Sequence, residues 1–220
     1  MPTISHADLV RRFEPMLVRP ESTRQDLEKL CAGARARGFH CVCVNGSRVE
    51  LARMLLEDSE VKVTGLIGFP LGAADSDVKR YETEVAIDHG AQEIEAVLNI
   101  GRLKEGDHRY VLRELRDIAE AADERPVKII LETSLLTPEE RRLACELVLD
   151  SGAHCLGTGT GLRSATTADE VRSLRAMAGA KFGVKATGLS DLQTAMAWIE
   201  AGATRLGVME GTAELLRIPE

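Results

Sequence analysis

Short apolar runs alternate with stretches of helical periodicity along almost the whole chain. Four of the helical stretches end at a glycine, and an apolar run begins within about three residues, which is a normal connection between a helix and a strand. These glycines are Gly38, Gly90, Gly152 and Gly202. Glycine readily supplies the left-handed turn that ends a helix. The repeat therefore predicts strand–helix units and a parallel sheet.

The pattern predicts strands at 15–18, 40–44, 62–67, 93–98, 127–132, 154–158, 181–185 and 205–208. The clearest helices are 75–88, 107–122, 138–150, 168–177 and 191–201, and an extra N-terminal helix covers 5–12. The helix that begins at Pro138 has a strong start signal, because Thr137 is an N-cap residue and Glu140 stands three positions later.

Eight strands at this spacing fit the α/β class and a single-domain (β/α)8 TIM barrel over residues 1–220, preceded by the extra N-terminal helix. The alternative is an open doubly wound sheet. That fold usually carries a Gly-x-Gly-x-x-Gly turn after its first strand, and Val44-Asn45-Gly46-Ser47 is no such turn.

Composition excludes several classes of protein. With 44% hydrophobic and 29% charged residues, the 220-residue chain is typical of an ordered globular protein. A net charge of −7 with 3% aromatic residues argues against a nucleic-acid partner. The apolar runs are too short for a membrane span, and the N-terminus does not resemble a signal peptide. We therefore expect a cytoplasmic protein.

The cysteines and glycine-rich turns give no indication of a metal or a cofactor. The chain has five scattered cysteines, which fit small buried apolar residues in a reducing compartment. Cys41 and Cys43 resemble half of a metal site, but no second pair or nearby histidine completes it. Neither a Walker motif nor a dinucleotide-binding motif is present. We expect no metal and no cofactor.

A barrel of this kind carries its chemistry at the C-terminal ends of the strands. Strand alternation places Glu93 and Glu95 on one face, which we expect to point inward. Inward carboxylates need a cation, and Lys185 at the end of an apolar strand is the candidate. A lysine held there can have a lowered pKa, as an amine nucleophile or proton shuttle requires. The alternative is a structural ion pair between Lys185 and Glu95 or Glu132.

Further polar or small residues at the strand ends are candidates for substrate binding. They are Cys43, Asn45, Thr133, Thr158, Thr160, Gly161, Gly188, Met209 and Glu210.

From about residue 14 to residue 211, the chain resembles the deoxyribose-phosphate aldolase family, class I aldolases on a (β/α)8 barrel. The resemblance is carried by Val42-Cys43-Val44-Asn45, Gly68-Phe69-Pro70-Leu71-Gly72, Gly90 to Gly101, Leu131-Glu132-Thr133, Thr160-Gly161, Val184-Lys185-Ala186 and Ala201 to Gly207. It implies lyase chemistry on a small carbonyl substrate without a metal, and it makes a homodimer plausible.

The family's catalytic residues are not all matched. The lysine that forms an imine in the family lies in a stretch like Val-Lys-Thr-Ser-Thr-Gly-Phe, and Gly157 stands at that position here. A glycine has no amine to form that intermediate. The family's proton-relay aspartate corresponds to Glu95, which is longer by one methylene, about 1.5 Å. An Asp-His-Thr stretch in the family corresponds to Glu14-Pro15-Met16.

Two turns that hold the substrate phosphate in the family are also altered. Gly188-Leu189-Ser190-Asp191 lacks the family's arginine, and Gly207-Val208-Met209-Glu210 lacks its hydroxyl residues. Asp191 and Glu210 add carboxylates near the place of a dianion, and like charges repel. We predict a non-phosphorylated substrate with a neutral or cationic end.

Three functional hypotheses follow. The first is a divergent enzyme for carbonyl or enolate chemistry (aldol-type cleavage, dehydration, isomerisation or cyclisation) with Lys185, Glu95 and Glu132 as its catalytic residues. Lys185 would form the imine itself, or act as a cation beside an enolate while Glu95 is the base. The others are a non-catalytic binding or regulatory protein, and a weak deoxyribose-phosphate aldolase acting through Lys185. Catalysis requires that a substrate can reach Lys185.

Overall fold

The computed structural model describes residues 4–209, which form a closed barrel of eight parallel strands surrounded by helices. Each strand pairs with its sequence neighbours, and the first strand closes the barrel against the last. The strands are β1 (Phe13–Leu17), β2 (Cys41–Asn45), β3 (Lys62–Ile67), β4 (Glu93–Val97), β5 (Val127–Ile130), β6 (Cys155–Gly157), β7 (Gly183–Thr187) and β8 (Arg205–Met209). The predicted TIM barrel is confirmed.

Nine α-helices lie within the described range. They are α1 (His6–Val10), α2 (Arg24–Arg37), α3 (Val49–Leu55), α4 (Ser76–Asp88), α5 (Ile100–Lys104), α6 (His108–Ala121), α7 (Pro138–Leu149), α8 (Ala168–Ala178) and α9 (Leu192–Glu200). The extra N-terminal helix is present as α1, with Ser5 as its N-cap.

Local signals set the ends of these helices as the sequence predicts. Gly38, Gly90, Gly152 and Gly202 all have φ between 69° and 110°, the left-handed region that glycine enters without steric cost. Thr137 forms a capping box with Glu140 at the start of α7.

Strand alternation divides the side chains between two environments. Outward residues such as Ile94, Ala96 and Ile129 pack under the helices in the main apolar core. Inward residues meet inside the barrel, and many of them are charged. The barrel interior, rather than the layer under the helices, therefore holds the polar chemistry.

One strand differs from its prediction in a way that matters for function. The predicted strand 181–185 places Lys185 at the C-terminal end, whereas β7 runs from Gly183 to Thr187. Pairing of Gly183 with Cys155 on β6 sets the start of the strand. Because two further residues follow it on β7, Lys185 lies in the middle of the strand, deeper in the barrel than expected.

Candidate active site

A chain of ion pairs runs through the barrel interior and includes Lys185. Lys185 Nζ lies 2.5 Å from Glu95 Oε2 and 2.9 Å from Glu14 Oε2. Lys128 Nζ lies 2.9 Å from Glu14 Oε2 and 2.9 Å from Glu93 Oε2. The predicted contact between Lys185 and Glu95 is present, and the two lysines share Glu14.

Burial and ion pairing have opposite effects on the pKa of Lys185. Its side chain has 0% exposure, and desolvation alone would lower its pKa. The neighbouring Cys43 sulfur and the carboxylates of Glu14 and Glu95 outweigh desolvation, so the pKa of Lys185 is raised well above its usual value. The expectation of a lowered pKa is therefore wrong: Lys185 is an ammonium ion at neutral pH, and a poor nucleophile in that form.

The pKa values of the neighbouring carboxylates are shifted in the opposite direction, downward. Burial acts to raise the pKa of Glu14, but the ammonium groups of Lys128 and Lys185 lower it to about 2. Lys128 and His40 likewise lower the pKa of Glu93 against the effect of burial. Both carboxylates are consequently ionised at neutral pH, as their partners require.

One oxygen of Glu95 is available for chemistry. Oε2 accepts a hydrogen bond from Lys185, whereas Oε1 is buried and has no hydrogen-bond partner among the described residues. A buried carboxylate oxygen without a donor is costly unless a ligand or a proton uses it. Glu95 therefore has both a fixed orientation and a free acceptor, the geometry of a general base.

Cys43 lies beside the same ion pair. Its Sγ accepts from Lys185 Nζ at 3.5 Å and is 3.7 Å from Glu95 Oε2. With Cys41 and Glu14 it forms a group in which three potential metal-ligand atoms lie within 4.8 Å of one another. The ammonium groups of Lys128 and Lys185 are already the cationic partners of Glu14, so this arrangement favours an ion-pair core over a metal site.

An apolar group closes the C-terminal end of the barrel above these charges. This mouth cluster consists of Met16, Val18 and Leu66, which are buried, and of Phe69 and Met209, which are partly buried. Together with the ion pairs it leaves Lys185 with no exposed surface. The requirement that a substrate reach Lys185 is therefore not met unless side chains of the mouth cluster move.

Other predicted binding residues line a separate cavity at the rim. Gly161, Gly188 and Met209 border a space of about 320 Å³ between the loops that follow β6 and β7 and the last residue of β8. A Cβ at Gly161 would lie 2.9 Å from Met209 Sδ, so the absence of a side chain there makes room for the methionine. Arg163 lines the same cavity and was missed by sequence analysis, because a charged residue in a loop carries no periodic signal.

Four further candidates form a structural network instead. Glu132 makes no ion pair with Lys185; its Oε2 accepts from the backbone N–H of Thr160 at 3.1 Å and from the hydroxyl at 2.8 Å. Thr133 donates to Glu170 at 2.8 Å, and Thr158 accepts from the backbone N–H of Thr187 at 3.2 Å. These bonds fix the loops after β5, β6 and β7.

The remaining candidates have separate roles or positions. Asn45 donates to the Val18 carbonyl at 3.4 Å. Asp191 is exposed and caps α9 by accepting from the backbone N–H of Thr194 at 2.7 Å. That hydrogen bond lowers the pKa of Asp191, so a charge does stand at the turn after β7. Glu210 lies outside the described residues.

Gly157 lies directly beside Lys185 in the sheet, paired with it across β6 and β7. A Cβ at this position would lie 3.3 Å from Ile130 Cα, so space on β6 is tight. On the other side of β7, a Cβ at Gly207 would lie 3.0 Å from Lys185 Cε. The lack of a side chain at Gly207 thus leaves room for the Lys185 side chain, whereas Gly157 makes room for Ile130 on β5.

Glu14, Lys128 and Arg205 are charged residues of the candidate site that sequence reasoning did not select. Arg205 Nε lies 3.2 Å from Glu14 Oε1, so all three belong to the interior network. A lysine inside the apolar run 127–131 was a usable signal, because a buried strand rarely carries an unpaired charge.

Among residues 4–209, no helix combines the length and the apolar content needed to cross a membrane.

Comparison with known proteins agrees with this architecture. The sequence profile of the DeoC/LacD family aldolases matches residues 13–214. The deoxyribose-phosphate aldolase of Bdellovibrio bacteriovorus is 44% identical over 205 residues, which cover 92% of this chain and 93% of that protein. The deoxyribose-phosphate aldolase of Thermococcus gammatolerans is 41% identical over 210 residues, or 93% of each chain.

Solved structures show the same barrel. The aldolase QR15 superposes with a TM-score of 0.90 at 34% identity, covering 94% of this chain and 95% of QR15. The tetrameric deoxyribose phosphate aldolase of Aeropyrum pernix superposes with a TM-score of 0.88 at 27% identity, covering 97% and 91% of the two chains.

Proposed function

The chain belongs to the DeoC/LacD family of aldolases, which are lyases, and from this premise we propose that it catalyses carbonyl or enolate chemistry on a small metabolite. The observation that carries the proposal is the buried Lys185–Glu95 pair with its free carboxylate oxygen. Aldol-type cleavage, dehydration, isomerisation and cyclisation all pass through an enolate or enamine that such a pair can stabilise.

We propose that Lys185 acts as a cation and forms no imine. Its raised pKa keeps the amine protonated, and Gly157 on the neighbouring strand offers no second amine. Glu95 Oε1 would take the proton from the carbon next to the carbonyl, and the Lys185 ammonium would stabilise the negative oxygen that develops. Glu132 would hold the loop after β6 through Thr160 without touching the substrate.

The substrate's far end would occupy the rim cavity beside Met209. We propose a non-phosphorylated end, because Asp191 is charged at the turn after β7. Asp191 follows Ser190 of the cavity lining, whereas Arg163, of opposite charge, lines the cavity itself, so a comparison of 2-deoxyribose with its 5-phosphate is the direct test of this part. Entry to Lys185 requires displacement of mouth-cluster side chains, of which Met209 and Phe69 are the partly exposed members.

The test is exchange of the protons next to the carbonyl of acetaldehyde, acetone and 2-deoxyribose in D2O, followed by NMR. We expect exchange by the wild-type protein, and a loss of about a hundredfold or more in Glu95→Gln, because the amide cannot accept the proton. Glu57→Gln, an exposed position two residues after α3, is the matched control and should exchange at the wild-type rate.

Borohydride trapping followed by mass spectrometry separates the two roles of Lys185. No trapped adduct is expected from a protein that exchanges protons by the cation mechanism. An adduct at Lys185 would overturn that mechanism and support imine chemistry. Absence of exchange with every probe would overturn the catalytic proposal.

A second candidate is a binding protein without turnover, and the complete burial of Lys185 is the observation that favours it. In that case the rim cavity would bind a ligand while the interior charges only stabilise the barrel. Binding of a carbonyl compound without proton exchange, measured by calorimetry, would support this candidate.

We also propose that the protein self-associates and resides in the cytoplasm. Leu71, Val78 and Tyr81 are 64%, 56% and 67% exposed and border one apolar groove, which a second copy could cover. The five cysteines are buried and unpaired, as in a reducing compartment. Sedimentation equilibrium measures the oligomeric state.

A further inference from the structure

The N-terminal end of the barrel, opposite the mouth cluster, contains a cavity of about 340 Å³. We call it the basal cavity. Its charged lining residues are Lys62, Glu93, Lys128, Lys181 and Arg205. Lys62, Glu93 and Arg205 are the first residues of β3, β4 and β8, and Lys181 lies two residues before β7. The floor of the cavity is therefore the rigid sheet itself.

The charge of this cavity is opposite to that of the whole protein. Four of the lining residues are cations and one is a carboxylate, whereas the chain has a net charge of −7. A concave surface that collects one sign of charge concentrates ligands of the other sign.

Internal pairing holds these cations unequally. Glu93 is already bound by Lys128 at 2.9 Å and by His40 at 2.8 Å, and Arg205 is paired with Glu14 at 3.2 Å. Lys62 Nζ stands 3.6 Å from the same Glu93, beyond hydrogen-bond distance.

Lys181 makes no hydrogen bond and no ion pair with any residue in the range 4–209. Among residues 4–209, Lys181 is therefore unpaired, and Lys62 has only the long ion pair with Glu93, which leaves its hydrogen-bond donors unused.

A neutral donor accompanies the ammonium groups. His154 lines the basal cavity, and its Nδ1 accepts a hydrogen bond from the backbone N–H of Val127 at 3.2 Å. In the neutral ring this acceptor role leaves the proton on Nε2, which makes that nitrogen a donor. Ammonium and imidazole donors converging on one space are the groups that bind phosphate and carboxylate oxygens.

A second cavity of about 710 Å³ adjoins the first and shares His40 and Lys62 with it. Its other charged lining residues are Arg11, Arg35, Arg37, Asp58 and Glu60. Positive charge thus continues beyond the basal cavity, and a ligand longer than a single phosphate group would still meet cations.

We propose that the basal cavity is a binding site for a compact anion with two or more negative charges, of the phosphate or polycarboxylate class. Lys62 and Lys181 bind it directly, and Lys128 at the floor contributes its field. The site lies at the end of the barrel opposite the proposed catalytic residues and does not depend on the proposed function.

The experiment measures the unfolding temperature and calorimetric binding of the wild-type protein with inorganic phosphate, pyrophosphate and citrate, against potassium chloride at equal ionic strength. We expect a saturable rise in Tm with pyrophosphate or citrate that chloride does not reproduce, since binding to the folded state alone stabilises it. The double variant Lys62→Gln/Lys181→Gln should bind at least about tenfold more weakly, because two charge-assisted contacts are lost.

The double variant Lys29→Gln/Lys104→Gln is the matched control, because it changes the net charge equally at exposed positions away from this face. It should retain wild-type affinity. Equal losses of affinity in the two double variants would show that only the overall charge matters, and would overturn the proposed site. The absence of saturable binding by all three anions would overturn it as well.

Discussion

Lys185 shows how pairing decides the chemistry of a single buried residue. Its ammonium group has no exposed surface, so its charge depends on Glu14 and Glu95 at 2.9 and 2.5 Å. Burial of one unpaired charge costs several kcal/mol, and the penalty is offset only while both partners remain. The same contacts that keep Lys185 charged prevent it from acting as a free amine.

Replacement of Lys185 should therefore destabilise the protein strongly. For Lys185→Met we expect a loss of about 3–5 kcal/mol in the free energy of unfolding, because Glu95 would stay buried without a cation and Glu14 would lose one of its three cationic partners. Urea denaturation at neutral pH measures the change. Lys181→Met, an exposed lysine on the loop before β7, should change stability by less than about 0.5 kcal/mol. A comparable, small loss in Lys185→Met would contradict this account.

At the scale of elements, α4 and α6 pack together around a second buried ion pair. Lys79 Nζ lies 2.8 Å from Glu114 Oε1, and both side chains have 0% exposure. Lys79 also donates to the Val97 carbonyl at 2.9 Å, whereas Glu114 Oε2 has no partner among the described residues. Burial lowers the pKa of Lys79 and raises that of Glu114, so each group is shifted toward its neutral form. Because burial opposes the charged form of both groups, the net stabilisation by this pair is small.

Replacement of both partners should be tolerated better than replacement of one. We expect Lys79→Met/Glu114→Leu to be as stable as the wild-type protein or more stable by about 1–4 kcal/mol, while Lys79→Met alone loses about 3 kcal/mol. Chemical denaturation of the three proteins gives the comparison. An exposed pair on α2 serves as control: Arg24→Gln/Glu28→Gln should change stability by less than about 0.5 kcal/mol. A double variant less stable than Lys79→Met would be inconsistent with this prediction.

At the scale of the whole molecule, the interior charges connect strands that are distant in sequence. Glu14 on β1 contacts Lys128 on β5, Lys185 on β7 and Arg205 on β8. Glu95 adds β4 through its contact with Lys185. Since one carboxylate links four strands, its protonation state affects the closed barrel as a unit.

Stability should consequently fall in acid. The pKa of Glu14 is lowered from 4.5 to about 2 in the folded protein, so its contribution is complete above pH 4.5 and is lost as the pH falls toward 2. From this shift alone we expect a loss of roughly 3 kcal/mol between about pH 5 and pH 2. Urea titrations at a series of pH values measure it.

Two variants test whether Glu14 is responsible for the loss of stability in acid. Glu57→Gln should follow the wild-type pH profile, because Glu57 is exposed. Glu14→Gln should be less stable at neutral pH and show a shallower decline in acid. A wild-type stability that stays constant over this pH range would contradict the role of Glu14.

The sequence by itself determined the elements and the alternation of their faces. Gly38 and Gly90 end their helices because a left-handed residue is a local requirement, and Thr137 begins α7 through a hydrogen bond three residues away. Glu95 points inward because its neighbours on β4 are apolar and alternate with it. Because an inward carboxylate needs a cation, this alternation also predicts the contact between Glu95 and an inward lysine.

Only the tertiary structure decided how deep that lysine lies and what it can do. The pairing of Gly183 with Cys155 shifts β7 and places Lys185 below the mouth, where Glu14 becomes its second partner and Met209 helps to cover it. These contacts join β1, β6, β7 and β8, and no local pattern specifies such a register. The charge of a buried amine depends on every group within a few ångströms, so the direction of its pKa shift is a property of the folded barrel.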